Sequence, residues 1–285
     1  MVKKVDVLIF GILLILGSLI FKSCVPEYYV VRKFRTSANV SVLIIPNQLV
    51  YKTNTTIQDL YPNFGELSPQ VQDSIWFANT KFLEKVSDST IIYTFYSKFL
   101  NLLKKSEMKV FDYQNTADFN LKDTNAYILK IVQMEMEEKK QQIPYSQPID
   151  NNQELYKEVE INSVTLNVWF ELVRAAKDTL KPTLLFASYV ISDEVRGRFF
   201  NTLSGYEFRF KRNDIDTSRI IPMASAAGEK MAQYFYNHML NVYANYFWDS
   251  PDYDFRYVGK YIQKDKGYSF YYPSDDERFI TIRKR

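Results

Sequence analysis

Residues 160–173 read "EINSVTLNVWFELV", and their alternation of apolar and polar side chains decides the fold class. The apolar positions are Val164, Leu166, Val168, Phe170 and Leu172, and the positions between them are Thr165, Asn167, Trp169 and Glu171. Successive side chains of a strand point to opposite faces of a sheet, so a period of two puts the apolar set on one face. The segment therefore predicts a strand with one buried face.

Similar runs surround this strand. "NAYILKIVQMEMEE" at 125–138 precedes it and "TLLFASYVISDEV" at 183–195 follows it, so the three segments predict a meander. Shorter strands are predicted for "KVFDY" at 109–113 and "GYEFRFKR" at 205–212. "ANVSVLIIP" at 38–46 is a short apolar, β-branched run closed by proline, which is typical of a strand covered on both faces.

Two segments predict long amphipathic helices. "SDSTIIYTFYSKFLNLLKKSE" at 87–107 has Asp88 or Ser89 as a cap and two lysines where a helix C-terminus favours cations. Its apolar face holds Ile91, Ile92, Phe95, Phe99, Leu102 and Leu103. "AAGEKMAQYFYNHMLNVYANYF" at 226–247 carries a stripe of Met231, Tyr234, Phe235, His238, Met239, Val242 and Tyr243. Residues 68–82 show a weaker helical pattern.

The order of these elements predicts an α/β (α+β) fold in which a mixed, largely antiparallel sheet packs against two long helices. Hydrophobic residues make up 46% of the chain and aromatic residues 16%, which is enough for a folded core. We expect a single domain at 38–247. A short tether at 24–37 would precede it, and an aromatic-rich C-terminal tail at 248–285 would follow.

The N-terminus predicts export and a lipid anchor. Residues 7–21 form an apolar run after two lysines, which is typical of a secretory signal and shorter than the roughly twenty residues of a membrane span. The run ends in "FKSC" at 21–24, and Cys24 is the only cysteine. A small residue before a cysteine is typical of a bacterial lipoprotein signal, so we expect removal of residues 1–23 and acylation of Cys24. Lys22 departs from the commoner small residue and resembles the looser signals of Bacteroidota lipoproteins.

Two other interpretations of the N-terminus stay open. The apolar run could be an uncleaved anchor beside a chance cysteine, or the signal of a secreted protein without lipid. Exported domains usually use cysteines in pairs, which favours acylation as the reason for a single one.

The charge of the chain gives no sign of a polyanionic partner. The full chain carries +3, and removal of residues 1–23, with three lysines and one aspartate, leaves +1. A near-neutral domain with interspersed charges has no long-range field for nucleic acid or for an anionic membrane surface. We therefore expect no nucleic-acid partner, and contact with the membrane through the N-terminal lipid.

Few residues suit catalysis. His238 is the only histidine, and its place on the apolar stripe favours a packed side chain over a catalytic one. If Cys24 is acylated, the chain has no thiol nucleophile and no Cys/His zinc site. The eight glycines form no phosphate-binding motif. We expect no catalytic residue, no cofactor and no metal.

Carboxylates near strand ends are the remaining candidates for acid/base or metal chemistry. They are Glu135, Glu137, Glu138, Glu171, Asp193 and Glu194. Solvated charges are common at such positions, but a cleft in which Glu171 and Asp193 converge would favour an enzyme.

The C-terminal tail carries the candidate partner-binding residues. They are Tyr253, Phe255, Tyr257, Tyr268, Phe270 and Tyr272. Aromatic side chains with polar tips are enriched at protein interfaces, although the tail could instead fold back as a hairpin on its own domain.

One short motif suggests a modification. Asp178-Thr179-Leu180 resembles the O-glycosylation acceptor of Bacteroidota, which makes Thr179 a candidate site. Asp73-Ser74-Ile75 also matches, within the weakly helical segment.

The segments at 38–46, 79–105, 125–131, 166–172 and 184–195 together resemble a group of uncharacterised Bacteroidota lipoproteins. More distantly, the element order is similar to periplasmic modules such as the TolB N-terminal domain and the lipoprotein activators of peptidoglycan synthases. The resemblance implies a periplasmic address and an α/β fold, and it implies no specific activity.

The expected function is a non-enzymatic, lipid-anchored envelope protein that binds or assembles an envelope protein partner. The anchor is expected in the outer membrane with the domain facing the periplasm, because "VPEYYVV" at 25–31 lacks the acidic run that resembles a surface-export signal. A lipid or glycan carrier and a carboxylate-dependent envelope hydrolase or transferase are the alternatives.

Overall fold

The predicted meander forms the centre of one mixed sheet. The computed structural model describes residues 26–114, 116–121, 123–150, 153–175, 181–247, 257–262 and 277–282. Its strands are β1 Ser41–Ile45, β2 Tyr51–Asn54, β3 Lys109–Asp112, β4 Ala126–Asp150, β5 Gln153–Arg174, β6 Thr183–Ser192, β7 Glu194–Thr202, β8 Gly205–Asn213 and β9 Ile280–Ile282.

Seven of the described strands belong to this sheet, in the order β3-β1-β4-β5-β6-β9, with β2 also paired to β4. The β4–β5, β5–β6 and β6–β9 pairs are antiparallel, and β1 runs parallel to β3 and β4. β7 and β8 pair with each other in a separate ribbon. The sheet is therefore mixed and largely antiparallel, as the sequence predicted.

The helices of the described ranges are α1 Pro26–Ser37, α2 Thr55–Leu60, α3 Pro69–Asn79, α4 Asp88–Leu103 and α5 Ile220–Phe247. The two predicted long helices are α4 and α5, and the weak pattern at 68–82 is α3. Single 3-10 turns lie at Phe64–Glu66, Leu83–Lys85 and Thr217–Arg219. The predicted fold class of an α/β sheet packed on two long helices is confirmed.

Aromatic rings fill the layer between the sheet and the two long helices. Phe99 of α4 stacks on Phe95 at 5.9 Å between centroids and on Phe170 of β5 at 5.7 Å, and Phe235 of α5 lies 6.4 Å away. All four rings are fully buried. The helix faces predicted from the sequence therefore meet the predicted buried face of β5.

A glycine lets α4 and α5 approach each other closely. A Cβ atom on Gly228 would lie 2.4 Å from the backbone oxygen of Phe95. Real side chains do not tolerate such a distance, so the helix contact depends on the missing side chain at this position.

β1 is covered on both faces, as predicted. Val42 and Ile44 are buried in the main core, while Leu43 is buried on the other side against Phe119 and Ala126.

The expected tether at 24–37 needs correction. Residues 26–37 form α1, whose Val30, Val31 and Phe34 are buried. The ring of Phe34 lies 5.8 Å from that of Tyr236 and 5.5 Å from that of Tyr243, both on α5. Apolar residues at helical spacing gain more from burial against α5 than from forming an extended linker.

Candidate binding surface

β4 and β5 continue as a paired hairpin well beyond the predicted meander. Residues 139–150 pair with 153–163, and we call this extension the arm hairpin. One of its faces carries Ile143, Tyr145, Val159 and Ile161, which are half-buried or buried. This face needs a covering layer, because apolar side chains on one side of a hairpin are otherwise exposed to water.

The β7–β8 ribbon is that covering layer. The ring of Tyr145 lies 5.2 Å from the ring of Phe208, and its hydroxyl donates to the backbone oxygen of Val195 at 2.8 Å. Phe199 packs on Phe208 at 4.9 Å. A Cβ atom on Gly197 would lie 2.2 Å from the Phe208 ring, so this glycine makes room for it. The two ribbons together form a two-layered projection, which we call the arm.

Asp193 joins the arm to the body. Its side chain is buried and accepts the backbone and side-chain N–H groups of Asn162, each at 2.8 Å, and the backbone N–H of Ile215 at 2.8 Å. Arg212 of β8 donates to it at 2.5 Å. Burial by itself would raise the pKa of Asp193, but these hydrogen bonds and the charge of Arg212 lower it below its usual value.

The two outer faces of the arm carry opposite charges. Glu154, Glu158 and Glu160 are exposed on the outer face of the arm hairpin. The outer face of the β7–β8 ribbon, which we call the basic face, carries the exposed cations Arg196, Arg198, Arg209 and Lys211 and two exposed carboxylates, Glu194 and Glu207. Although the net charge of the chain is near zero, acidic and basic side chains therefore predominate on different outer faces of the arm.

The candidate carboxylates are held by structural contacts. Glu138 is buried and accepts the backbone N–H groups of Lys81 at 2.8 Å and Phe82 at 2.9 Å. Glu135 accepts from the hydroxyl of Thr53 at 3.1 Å. Glu137 accepts from Thr55 at 3.2 Å, and Glu194 lies 3.9 Å from Arg219.

Glu171 and Asp193 do not converge. Glu171 pairs with Lys130 at 3.3 Å, opposite Leu184 on β6. Asp193 follows Ser192, which is paired with Ser163, eight residues from Glu171 along β5. Eight residues of a strand span about 27 Å, so the two carboxylates cannot share a cleft.

The described parts of the tail pack on the domain. β9 extends the sheet beside β6, and Val258 and Phe279 are buried. Asn241 of α5 donates to the backbone oxygen of Val258 at 2.8 Å and accepts its N–H at 3.0 Å. Lys260 reaches Glu107 at 2.7 Å. For these segments the structure favours the fold-back interpretation.

Tyr257 is the one candidate tail residue within the described ranges. It is half-buried, and the guanidinium of Arg278 lies 5.2 Å from its ring. Tyr253, Phe255, Tyr268, Phe270 and Tyr272 lie outside the described residues, as do Cys24 and Thr179.

His238 packs at the edge of the core, as its place on the stripe predicted. Its ring lies 6.4 Å from that of Phe279 in an edge-to-face arrangement. Burial lowers the pKa of His238 to about 4, so the imidazole is neutral at physiological pH.

The described residues contain neither a candidate membrane span nor a cluster of metal ligands. Across those ranges, none of the helices combines the length and apolar character of a membrane span. Nor do three His, Cys, Asp or Glu side chains of the described chain gather as metal ligands would.

Comparison with known proteins identifies no family. No protein-family profile and no curated protein matches the chain. The crystal structure of a neuraminyllactose-binding hemagglutinin homolog from Helicobacter pylori is similar over 75% of this chain and 91% of its own, with 9% sequence identity and a TM-score of 0.30. A likeness of this size carries no conclusion about activity.

The arm is the feature that sequence reasoning missed. A signal for the basic face was present in "RGRFF" at 196–200 and "FRFKR" at 208–212, where cations alternate with glycine or aromatic residues. Alternation in two neighbouring runs predicts a hairpin with one charged face. The prediction was missed because only the net charge of the whole chain was considered.

Proposed function

We propose that this chain is a lipid-anchored, periplasm-facing envelope protein that binds its partner through the arm. The observation that carries this proposal is the basic face, where four exposed cations lie side by side on two paired strands. Concentrated charge of one sign on a projecting surface favours association with a partner of opposite charge.

A binding role is favoured over the two alternatives by particular contacts. The carboxylates on which an envelope hydrolase would depend are engaged by backbone N–H groups, by cations or by threonine hydroxyls. The layer in which a carrier would enclose a lipid is filled by Phe95, Phe99, Phe170 and Phe235.

An anchor at Cys24 would hold the body close to its membrane. Only Val25 lies between that cysteine and α1, which starts at Pro26. α1 packs beside the second half of α5, whereas Arg219, just before α5, lies 3.9 Å from Glu194 at the base of the arm. The arm would therefore project from the end of the body opposite the anchor.

The anchor has its own test. Cys24→Ser is expected to leave an unprocessed precursor that takes up no labelled palmitate, and protease added to intact cells is expected not to digest the wild-type protein. A variant that is cleaved and localised as before would overturn the lipid anchor, and efficient digestion would overturn the periplasmic face.

The binding role is tested by site-specific photo-cross-linking in the native envelope. A photoreactive residue at Thr202, at the end of β7, should form adducts, whereas one at Lys104, at the end of α4, should not. Arg198→Glu in the same chain should abolish the Thr202 adducts. Adducts of equal yield at both positions, or none at Thr202, would contradict a role for the arm.

A further inference from the structure

The basic face breaks a rule of sheet stability. Arg196 lies directly opposite Lys211, and Arg198 lies directly opposite Arg209, so two neighbouring cross-strand pairs join like charges. Like charges in directly opposed positions destabilise a strand pair. Residues that break a local rule are concentrated at functional sites, because another requirement keeps them there.

Two exposed carboxylates, Glu194 and Glu207, share the basic face with the four cations and leave it with a net charge of +2. Glu207 accepts from Arg209 at 2.7 Å, and the ring of Phe200 lies 4.4 Å from the Arg198 guanidinium and 5.3 Å from that of Arg209. Throughout the described ranges, no carboxylate forms an ion pair with Arg196, Arg198 or Lys211. Glu194 pairs with Arg219 at 3.9 Å, so the cations of the basic face keep an excess of positive charge that can attract an external anion.

The turn at the end of the β7–β8 ribbon, beyond these cations, exposes an apolar side chain. Leu203 is fully exposed in the turn between β7 and β8, which closes at Gly205 with a positive φ of 121°. Tyr206 and Phe210, both on the face of the ribbon opposite the basic face, are about half exposed. Phe200 lies between this turn and the cations. The ribbon thus changes from aliphatic to aromatic to cationic over a few residues.

We propose that the β7–β8 ribbon docks on the anionic phospholipid surface of a bilayer, with Leu203 in the interfacial layer and the cations at the phosphates. This inference rests on the proposed binding role of the arm and names its partner. That partner is a bilayer other than the one that would hold the anchor, because the arm lies at the opposite end of the body. Peripheral membrane segments pair inserted apolar side chains with Lys and Arg at headgroup depth. A nucleic acid would use the cations and the aromatic rings but leave the leucine without a role.

Vesicle flotation tests this inference with a chain that begins at Pro26, which removes the lipid anchor. This chain keeps the whole described core, because core contacts start at Val30. We expect it to float with vesicles of equal parts phosphatidylglycerol and phosphatidylcholine, and to stay behind with pure phosphatidylcholine. High salt should weaken binding, because exposed charges are screened.

Three variants locate the contact. Arg198→Gln with Lys211→Gln should weaken binding about 30-fold, and Leu203→Ser about tenfold. Lys104→Gln with Lys105→Gln removes the same charge at the end of α4 and should change nothing. Thermal melting checks that each variant is folded, and the salt dependence of the wild type tests the charge term without any substitution.

Several outcomes would overturn the bilayer as partner. They are equal binding to neutral vesicles, no loss in the Arg198/Lys211 variant, displacement by millimolar inorganic phosphate alone, and tighter binding to duplex DNA than to vesicles. If flotation fails while Thr202 forms protein adducts in cells, the binding role of the arm stands and only its lipid partner is wrong.

Discussion

At the scale of single residues, the core depends on a few rings that each contact several elements. Phe99 contacts Phe95 within its own helix, Phe170 on the sheet and Phe235 on the facing helix. Removing such a ring leaves a cavity that three elements would have to collapse around. The cost of a cavity depends on how well its walls can move, and walls on three elements move little.

Phe99→Ala is therefore expected to lower the free energy of unfolding by about 3 to 5 kcal/mol. Chemical denaturation of a chain that begins at Pro26 measures this change. Tyr93→Ala on the exposed side of the same helix is the matched control and should change stability by less than about 0.5 kcal/mol. Equal effects of the two substitutions would show that the helix face is wrongly assigned.

The lowered pKa of His238 makes stability depend on pH. The unfolded chain binds a proton at this histidine below about pH 6.5, whereas the folded chain does so only below about 4. Because the unfolded state binds more protons between these values, the free energy of unfolding falls as the pH falls. The wild type should lose about 1 to 2 kcal/mol between pH 7 and pH 5, and His238→Gln should lose less.

The carboxyl groups of Asp193 and Glu107 do not contribute to the change in stability between pH 7 and pH 5. The pKa values of Asp193 and Glu107 are lowered, so the stability that these groups contribute is lost only below their unfolded values, near pH 4. Denaturation of wild type and His238→Gln at several pH values gives the comparison. Parallel curves between pH 7 and pH 5 would mean that the imidazole titrates equally in both states.

At the scale of elements, the arm stays attached because one buried carboxylate ties both ends of the β7–β8 ribbon. Asp193 precedes β7, Arg212 lies at the end of β8, and Ile215 follows that strand. A buried carboxylate with several hydrogen-bond donors stabilises more than an exposed ion pair, and removing its charge leaves the donors less well satisfied.

Asp193→Asn is expected to loosen the ribbon, with a loss of about 1 to 3 kcal/mol in the free energy of local opening. Hydrogen exchange should become faster in β7 and β8 and stay unchanged in α4. Asp214→Asn removes the exposed partner of the same Arg212 and should have little effect. Similar exchange in the two variants would show that the buried carboxylate does not hold the arm.

At the scale of the whole molecule, α1 and the described tail segments close the core at one end while the arm projects from the other end. α1 and the described tail segments both pack on α5. The 28 residues of α5 span about 42 Å and separate the base of the arm from the start of α1. This arrangement would let one end stay at a membrane while the other end reaches a partner.

Truncation after Phe247 is expected to destabilise the domain by at least about 4 kcal/mol or to prevent folding. The deletion removes the buried Val258 and Phe279 together with β9. Truncation after Ile282 keeps these contacts and should melt like the full chain. If the shorter chain kept its melting temperature, the tail would be separable and its aromatic residues would be available to a partner.

The sequence by itself determined the meander, the two long helices and the faces that they bury. These features follow from local periodicity, as in the alternation from Val164 to Leu172 and the spacing of Ile91, Phe95 and Phe99. The same reasoning could have predicted α1, since Val30, Val31 and Phe34 lie at helical spacing.

The tertiary structure alone decided the arm, the packing of the tail and the basic face. Pro144 and Pro148 argue against a strand at 139–150, because proline cannot donate a hydrogen bond to a central strand. This part of β4 pairs with β5 and has no second described neighbour, so the prolines are tolerated and the segment is extended. The four cations of the basic face are spread over sixteen residues of a chain whose acidic and basic residues nearly balance, so the net charge of the chain does not reveal them. Pairing of β7 with β8 brings them together, because cross-strand contacts depend on register and not on distance along the chain.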